Sequence, residues 1–272
     1  MGQTTADASF VGSLPAIYQQ YLVPLIFEPY AADLATRLSE RPLRRVLEIA
    51  AGTGAVTRRL AAALPESVAI VATDLNQGML DQAVAAGTPR PVEWRQADAM
   101  QLPFPDEAFD AVVCQFGAMF FPNRARAFAE ARRVLRPGGV FLFSVWDRIE
   151  DNEFAHVVTA ELATLYPADP PRFLARTPHG YSDRATIERD VSAGGFSRPV
   201  RFVTLTERSR AASAEVAALA YCQGTPVRNE IEARDPGGLA GATARAAEAV
   251  RRRFGADAVD GKLQAHVIEA EK

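Results

Sequence analysis

The sequence predicts an α/β protein with a doubly wound, seven-stranded, mostly parallel sheet, an antiparallel last strand and a helical lid. Two observations lead to this fold class. Residues 46–60 have the pattern of a short apolar strand, a glycine turn and the start of a helix. Further apolar segments that end in polar residues follow along the chain. Because the carboxyl ends of parallel strands meet at one edge, these polar groups are expected to line one crevice.

The first strand and its turn carry the strongest local signal. Val46, Leu47 and Ile49 form an apolar run, as expected of a parallel strand that is covered on both faces. Gly52 and Gly54 allow the backbone to turn tightly and to approach a ligand closely before a helix begins. Two glycines also occur in ordinary strand-to-helix connections, so the turn alone leaves a nucleoside site and a plain connection open.

The next strands end in polar side chains. Residues 67–74 end in Asp74, about 20 residues past the glycines, where folds of this type place a carboxylate that binds ribose. A third segment ends near Asp98, a fourth brings Gln115 to its end, and residues 140–146 form the fifth. Helix capping is the alternative explanation for the two aspartates.

The flanking regions complete the prediction. Pro24 and Pro29 are expected to break the N-terminal region into short helices. Residues 199–206 and 263–269 are predicted to be the last two strands, and the segment between them is too long for a plain loop. The predicted parts are an N-terminal helical cap (1–45), a ligand-binding core (46–147), a helical lid segment (148–198), and C-terminal strands (199–272) with a helical insertion (211–257).

Several motifs together resemble a known family. Glu48-x-x-x-Gly52-x-Gly54 is followed by NQGML over residues 76–80, ADA over 97–99, LPFPDEAFD over 102–110 and EARRVLRPGG over 130–139. A helix that ends in Leu-Arg-Pro-Gly-Gly before an apolar strand is characteristic of the class I S-adenosylmethionine-dependent methyltransferases, a family with a Rossmann-like fold. The chain is similar to its small-molecule branch, which includes the quinone-biosynthesis C-methyltransferases. One departure is Ala50, where the family usually has glycine.

The resemblance implies S-adenosylmethionine as the methyl donor, S-adenosylhomocysteine as the product and a small organic molecule as the acceptor. It implies that Asp74 binds the ribose hydroxyls and that Met79 packs on the adenine, although Met79 equally suits the core. Asp98 and the Ala99 amide would bind the adenine edge, and Gln115 would face the sulfonium. The full set implied for the donor is Tyr18, Tyr21, Glu48, Ala50, Gly52, Thr53, Gly54, Asp74, Leu75, Met79, Asp98, Ala99 and Gln115.

Other functional classes fit the residues less well. A dinucleotide fingerprint needs a third glycine where Thr57 stands, and the two lysines, Lys262 and Lys272, form no Tyr-x-x-x-Lys pair. An NAD(P)-dependent oxidoreductase is therefore the weaker alternative, and a protein that binds S-adenosylmethionine without methylating is another. Nucleic acid is not an expected partner, because the formal net charge is −3 and no basic surface is indicated.

Composition indicates a cytoplasmic enzyme. No apolar run approaches the roughly 20 residues needed to span a bilayer, and the N-terminus lacks a signal-peptide pattern. Cys114 and Cys222 form no disulfide framework, and Cys114 is interpreted as a small buried hydrophobic residue. No metal and no membrane partner are expected, and the chain is expected to be a monomer or a homodimer.

The catalytic residues stay open at this level. The candidates are His179, Tyr181 and Tyr18, and none is favoured as a single catalytic base. His179 lies in the predicted loop over residues 177–181, where an exposed histidine without a function explains the same residue. Tyr18 and Tyr21 would cover the donor, or simply pack. Residues 150–182 and the insertion are interpreted as a lid over the acceptor, with packing or dimerisation as the alternative.

Overall fold

The computed structural model describes residue 12 and residues 14–272, so residues 1–11 and 13 of the predicted cap lie outside the described residues. Seven strands form one sheet: β1 (Arg45–Ile49), β2 (Ala69–Asp74), β3 (Glu93–Gln96), β4 (Phe109–Gln115), β5 (Leu135–Trp146), β6 (Arg201–Ala211) and β7 (Val259–Glu271). Their order is β3-β2-β1-β4-β5-β7-β6. β1 to β5 pair in parallel and the last strands are antiparallel, so the predicted fold class is confirmed.

Eleven α-helices among the described residues precede or connect these strands. They are α1 (Leu14–Ile17), α2 (Glu28–Ser39), α3 (Ala55–Ala63), α4 (Gln77–Ala86), α5 (Arg124–Val134), α6 (Glu153–Leu165), α7 (Phe173–Arg176), α8 (Arg184–Ala193), α9 (Ala214–Gln223), α10 (Val227–Arg234) and α11 (Leu239–Phe254). A π-helical segment occupies Tyr18–Phe27. No helix among the described residues is both long and apolar enough to cross a membrane.

The strand order determines where a ligand can bind. From β1 the chain moves outward through β2 to β3, and it then returns to place β4 on the other side of β1. This reversal between β1 and β4 is a topological switch point. In sheets of this class, ligands bind in the crevice outside the carboxyl ends of the strands at such a point.

The chain divides into two compact units. The first, the sheet unit, comprises residues 28–145, 181–204 and 266–272. Its core contains stacked aromatic side chains on two neighbouring elements, because the Phe141 and Phe143 rings of β5 lie 4.8 Å apart and Phe128 of α5 lies 5.2 Å from Phe143. All three are fully buried, which keeps the parallel strands in a water-free layer.

The second, the helical unit, comprises, among the described residues, residues 12, 14–27, 146–180 and 205–265. α9 and α11 pack on each other and on α6, and the three helices contribute many buried alanines, which let helices approach closely. Gly261 of β7 also allows close approach, since a Cβ there would lie 3.0 Å from the Phe154 ring. The predicted insertion therefore forms packed helices rather than an open loop.

Two local expectations differ from the structure. Pro24 does not break the N-terminal segment but lies inside the π-helical turn, where the wider winding accommodates a residue that lacks a backbone N–H. β6 and β7 also extend beyond the predicted strands. Their added residues are held by side-chain pairing, because Asp260 binds both Arg208, at 2.6 Å, and Arg210, at 3.1 Å.

One ion pair network of the helical unit gives a stability prediction. The Glu161 carboxylate of α6, with 9% of its side chain exposed, accepts hydrogen bonds from Arg245 and Arg252 of α11. Glu161→Gln should lower the thermal unfolding midpoint by a few degrees, because it leaves two guanidinium groups without their carboxylate. Both arginines are more than half exposed, so solvent limits the loss.

The exposed pair of α8 provides the control for this measurement. Glu188 binds Arg184 one turn away, and both side chains are largely exposed. Glu188→Gln should therefore leave the thermal midpoint nearly unchanged. Equal midpoints for the two variants in differential scanning calorimetry would show that Glu161 does not link α6 to α11.

Candidate functional site

A left-handed turn follows β1 at the switch point. Ala50 (φ 54°), Gly52 (φ 56°) and Gly54 (φ 82°) all have positive φ. Glycine adopts this conformation freely, but alanine does so at a cost of about 1–2 kcal/mol. Gly54 is also required by packing, since a Cβ there would lie 2.9 Å from Trp94. The turn thus contains one strained non-glycine residue, at the position where the sequence departs from the family.

Asp74 joins the end of β2 to this turn. One carboxylate oxygen accepts a hydrogen bond from the Gly52 amide and the other from the Asn76 amide, both at 2.8 Å. Burial raises the pKa of Asp74, and these backbone hydrogen bonds oppose the rise. The Asn76 side chain and the Leu75 amide also lower the pKa of this carboxyl group by hydrogen bonding. Asp74 therefore orders the turn after β1 and the backbone that follows β2.

Glu48 is a second buried carboxyl group below the turn. It lies on β1, is fully buried and accepts a hydrogen bond of 2.5 Å from the Thr57 hydroxyl of α3. Burial raises the pKa of Glu48 to about 8, against the opposing effects of Thr57 and Arg58. Thr57, which in the sequence counted only as a missing glycine, is thus a partner of this carboxyl group. Nothing in the sequence around Thr57 signals that contact.

A second left-handed residue lies across the switch point. Phe116, directly after β4, has φ 51°, which is unusual for a bulky side chain. The next residue, Gly117, has no space for a side chain, since a Cβ there would lie 2.5 Å from the Ala50 Cβ and 2.8 Å from the Cys114 sulfur. The turns after β1 and β4 are therefore in contact, and both contain backbone strain of the kind that concentrates at ligand sites.

The residues predicted near the adenine lie at the ends of β2 and β3. Leu75 has 53% of its surface exposed, whereas Met79 in α4 is buried at 3%. Asp98 is half-buried, and one of its carboxylate oxygens accepts a hydrogen bond from the Met100 amide at 2.8 Å. Ala99 beside it is also half-buried. The exposed Leu75 side chain is thus the neighbour of buried Asp74 at the end of β2.

The strand register brings the polar ends of β4 and β5 together. Gln115 pairs with Ser144, so both side chains point to the same face of the sheet. Glu48 pairs with Val113, two residues before Gln115, and lies on that face as well. The Ser144 hydroxyl is fully buried and forms no hydrogen bond within the described part of the chain. Sequence reasoning missed Ser144, although a lone serine in the apolar fifth strand is a usable signal.

The helical unit contains Tyr18, Tyr21 and His179. Tyr18 and Tyr21 are half-buried in the π-helical segment, and the Tyr18 ring stacks on Phe27 at 5.1 Å. The His179 ring is half-buried, and its Nδ1 lies 2.8 Å from the Asp147 carbonyl oxygen. Burial lowers the pKa of His179 to about 4.

Two further residues lie in the sheet unit. Tyr181 is buried under the Arg124 guanidinium, 4.0 Å from the ring centre, and burial together with Asp190 raises its pKa. Cys114 is fully buried, and burial raises its pKa to about 12, so its thiol stays protonated. The described residues contain no group of three or more His, Cys, Asp or Glu that could hold a metal ion.

Comparison with known sequences gives a consistent result. The model of a methyltransferase domain family matches residues 47–143. The ubiquinone/menaquinone biosynthesis C-methyltransferase UbiE of Ectopseudomonas mendocina is 33% identical over 171 residues, which cover 58% of this chain and 67% of the relative. The UbiE of Teredinibacter turnerae is 31% identical over 179 residues, which cover 61% of this chain and 72% of the relative.

Solved structures share the fold at lower identity. The YcgJ protein of Bacillus subtilis has a TM-score of 0.55 at 20% identity, with 90% of this chain and 98% of that chain covered. A SAM-dependent methyltransferase of Thermotoga maritima has a TM-score of 0.55 at 15% identity and 96% coverage of both chains. Phosphoethanolamine N-methyltransferase 2 of Haemonchus contortus, solved with S-adenosyl-L-methionine, has a TM-score of 0.57 at 15% identity, with 96% of this chain and 56% of that chain covered.

The buried Glu48 makes stability depend on pH. At a pH above the ordinary carboxyl pKa, the unfolded chain has released the Glu48 proton, whereas the folded protein still keeps it. The stability that Glu48 contributes is therefore fully present at low pH, and the free energy of unfolding decreases as pH rises toward about 8. Glu48→Gln should remove that part of the pH dependence while keeping an acceptor for Thr57. Urea unfolding across this pH range measures the free energy of unfolding of both proteins. If this free energy changed equally with pH in the wild type and in Glu48→Gln, the assignment to Glu48 would be wrong.

Proposed function

We propose that the turn after β1 holds the methyl donor of this chain, because the chain belongs to the class I S-adenosylmethionine-dependent methyltransferases. The protein transfers a methyl group from S-adenosylmethionine to a small-molecule acceptor. Methyl transfer is therefore the function of this chain, rather than hydride transfer by an NAD(P)-dependent oxidoreductase or binding of S-adenosylmethionine without methylation. The observation that carries the placement of the donor is the pair of strained turns in contact at the switch point.

The residues around the turn fit this donor. The Thr53 hydroxyl is buried and has no hydrogen-bond partner in the described part of the chain, so a ligand would supply one. Asp74 can accept hydrogen bonds from ribose hydroxyls, and the exposed Leu75 side chain offers an apolar surface for adenine. Asp98 and Ala99 would bind the adenine edge. Glu48, Ala50, Gly52, Gly54 and Gln115 would line the methionine part, with Met79 beneath the adenine.

Methyl transfer depends mainly on how the protein positions the reactants. When bound, the donor supplies a methyl group on a sulfonium, which a correctly aligned nucleophile displaces in line. The protein then has to orient the acceptor and exclude water. A mostly neutral environment suits this reaction. Glu48 is protonated below about pH 8, so it adds no full negative charge beside a cationic donor at neutral pH.

We further propose a cap over the donor and a lid over the acceptor. The N-terminal helical segment, with Tyr18 and Tyr21, would cover the donor, and the helices within residues 148–198 and 211–257 would form the lid over the acceptor. A formal net charge of −3 supports a small molecule rather than nucleic acid as the partner. A cytoplasmic location and a monomeric or homodimeric state complete the proposal.

Binding of the product S-adenosylhomocysteine is the direct test. Calorimetric titration with S-adenosylhomocysteine should give saturable one-to-one binding. Asp74→Ala should weaken that binding by about 1–3 kcal/mol, because it leaves ribose hydroxyls without their acceptor. An affinity equal to that of the wild type would show that Asp74 only orders the turn.

Two variants control for folding. Asp81→Ala removes an exposed carboxylate from α4, close in sequence to Asp74, and should leave the affinity unchanged. Asp74→Asn keeps one acceptor oxygen and should fall between the wild type and the alanine variant. No binding of S-adenosylhomocysteine by the wild type at millimolar concentration would contradict the proposed function as a whole.

A further inference from the structure

We propose that Arg124 is a positioning residue of the donor site: its guanidinium, oriented by the Tyr181 ring, keeps the turn after β4 in the shape that binds S-adenosylmethionine. The inference rests on the proposed function and deepens it by naming side chains that act on the site without touching the donor. Every contact that supports it lies within the sheet unit, which contains both turns, α5 and α8.

Arg124 binds the backbone that follows the strained turn after β4. It is the first residue of α5, and a single 3₁₀ turn over Ala118–Phe120 precedes it. The Arg124 Nε donates to the Ala118 carbonyl and the Nη2 donates to the Met119 carbonyl, each at 3.3 Å. Ala118 and Met119 are fully buried. Because so short a helix leaves carbonyl groups at its end without an internal partner, the guanidinium stabilises this segment.

The segment that Arg124 binds is continuous with the contact between the two turns. The Phe120 amide donates to the Gly117 carbonyl at 2.9 Å. Gly117 in turn lies against Ala50, because a Cβ at Gly117 would lie 2.5 Å from the Ala50 Cβ. Phe116 and Ala50 have unfavourable positive φ values, so a loosened segment would relax away from this contact. The bonds from Arg124 therefore help to keep both turns in their strained shape.

The Tyr181 ring orients the guanidinium. The ring centre lies 4.0 Å from the Arg124 Cζ, well within the range of a cation–π contact. Tyr181 is buried at 2% exposure, whereas Arg124 is half-buried. A long side chain without such a neighbour would sample several rotamers, and ordering it for the two carbonyls would cost entropy. Tyr181 therefore supports the bonds that Arg124 forms.

The face of the Tyr181 ring, and not its hydroxyl, supplies this support. Burial and the Asp190 carboxylate raise the pKa of Tyr181, so the hydroxyl stays protonated at neutral pH and does not accept a proton there. A phenylalanine ring would present the same flat face to Arg124. A leucine side chain would not.

The packing of α8 on α5 fixes where Tyr181 lies. Tyr181 precedes α8 in the chain, and α8 contacts α5. At the far end of α8, Gly194 must be glycine, because a Cβ there would lie 2.6 Å from the Phe128 Cβ of α5. The two helices are therefore in close contact, and the start of α8 brings Tyr181 to the start of α5, where Arg124 lies.

Arginine suits this position in a way that lysine does not. A planar guanidinium can donate to two carbonyls from two nitrogens while its face lies on an aromatic ring. A lysine ammonium keeps the charge but has neither the fork of donors nor the flat face. Arg124→Lys therefore removes the geometry of this contact and keeps its charge.

Four variants of the full chain test the proposal. Arg124→Lys removes the fork of donors, and Tyr181→Leu removes the ring while Arg124 stays, so the test does not depend on the folding of one variant. Tyr181→Phe is the conservative variant that keeps the ring. Arg184→Lys is the matched control, because the Arg184 guanidinium lies over the Phe202 ring at 5.0 Å in the same unit and pairs with Glu188 of its own helix.

Calorimetric titration with S-adenosylhomocysteine measures the effect. Arg124→Lys and Tyr181→Leu should each weaken binding by about 10-fold, within the range seen for residues that act on a site without touching its ligand. The double variant should bind no more weakly than Arg124→Lys alone, because both changes remove one support. Tyr181→Phe and Arg184→Lys should bind as tightly as the wild type. Amide hydrogen exchange of the free proteins should be faster over residues 117–121 in Arg124→Lys than in the wild type.

The contrary results separate positioning from plain structural support. If Arg124→Lys lowered the thermal midpoint but bound S-adenosylhomocysteine as tightly as the wild type, Arg124 would only stabilise the fold, and the proposal would be wrong. An equal loss of affinity in Arg184→Lys, or in Tyr181→Phe, would also overturn it, because neither change removes the contact. If the wild type itself did not bind S-adenosylhomocysteine, the proposed function would fail instead.

Discussion

The hydrogen bond from the Gly52 amide to the Asp74 carboxylate is the constraint on which the site depends. It ties the turn after β1 to the end of β2, two segments that parallel pairing brings side by side. Because the Asp74 carboxylate is buried, losing either partner would leave a charged or polar group without compensation. The same carboxylate accepts the Asn76 amide at the entry to α4. One side chain thereby orders the turn, the strand end and the following helix.

Close packing on the other side of the turn adds a second constraint. The Ala50 methyl group fills the space where any side chain at Gly117 would lie, so the turns after β1 and β4 are shaped by each other. Ala50 and Phe116 both adopt left-handed conformations that neither side chain favours. Strained backbone of this kind concentrates at ligand sites, which is why the donor is proposed to bind at these two turns.

The pKa shifts in the two units have opposite directions. In the sheet unit, burial raises the pKa of Glu48 to about 8, and it also raises the pKa of Asp74 against the opposing backbone hydrogen bonds from Asn76 and Gly52. In the helical unit, desolvation lowers the pKa of the half-buried His179 imidazole to about 4. Burial causes both shifts, since it disfavours the charged form of acid and base alike.

Much of this protein could be predicted from the sequence alone, because its strongest signals are local. The apolar run before Gly52, the acid at the end of β2 and the Pro-Gly-Gly at residues 137–139 belong to short segments, and together they indicated the fold class, the family and the donor. Interactions between distant residues were out of reach. Only the tertiary structure brought Thr57 to Glu48, Ala50 to Gly117, Ser144 to Gln115 and His179 to Asp147. Packing or strand register brings the two residues of each pair together, and neither produces a periodic pattern that can be recognised in a single sequence.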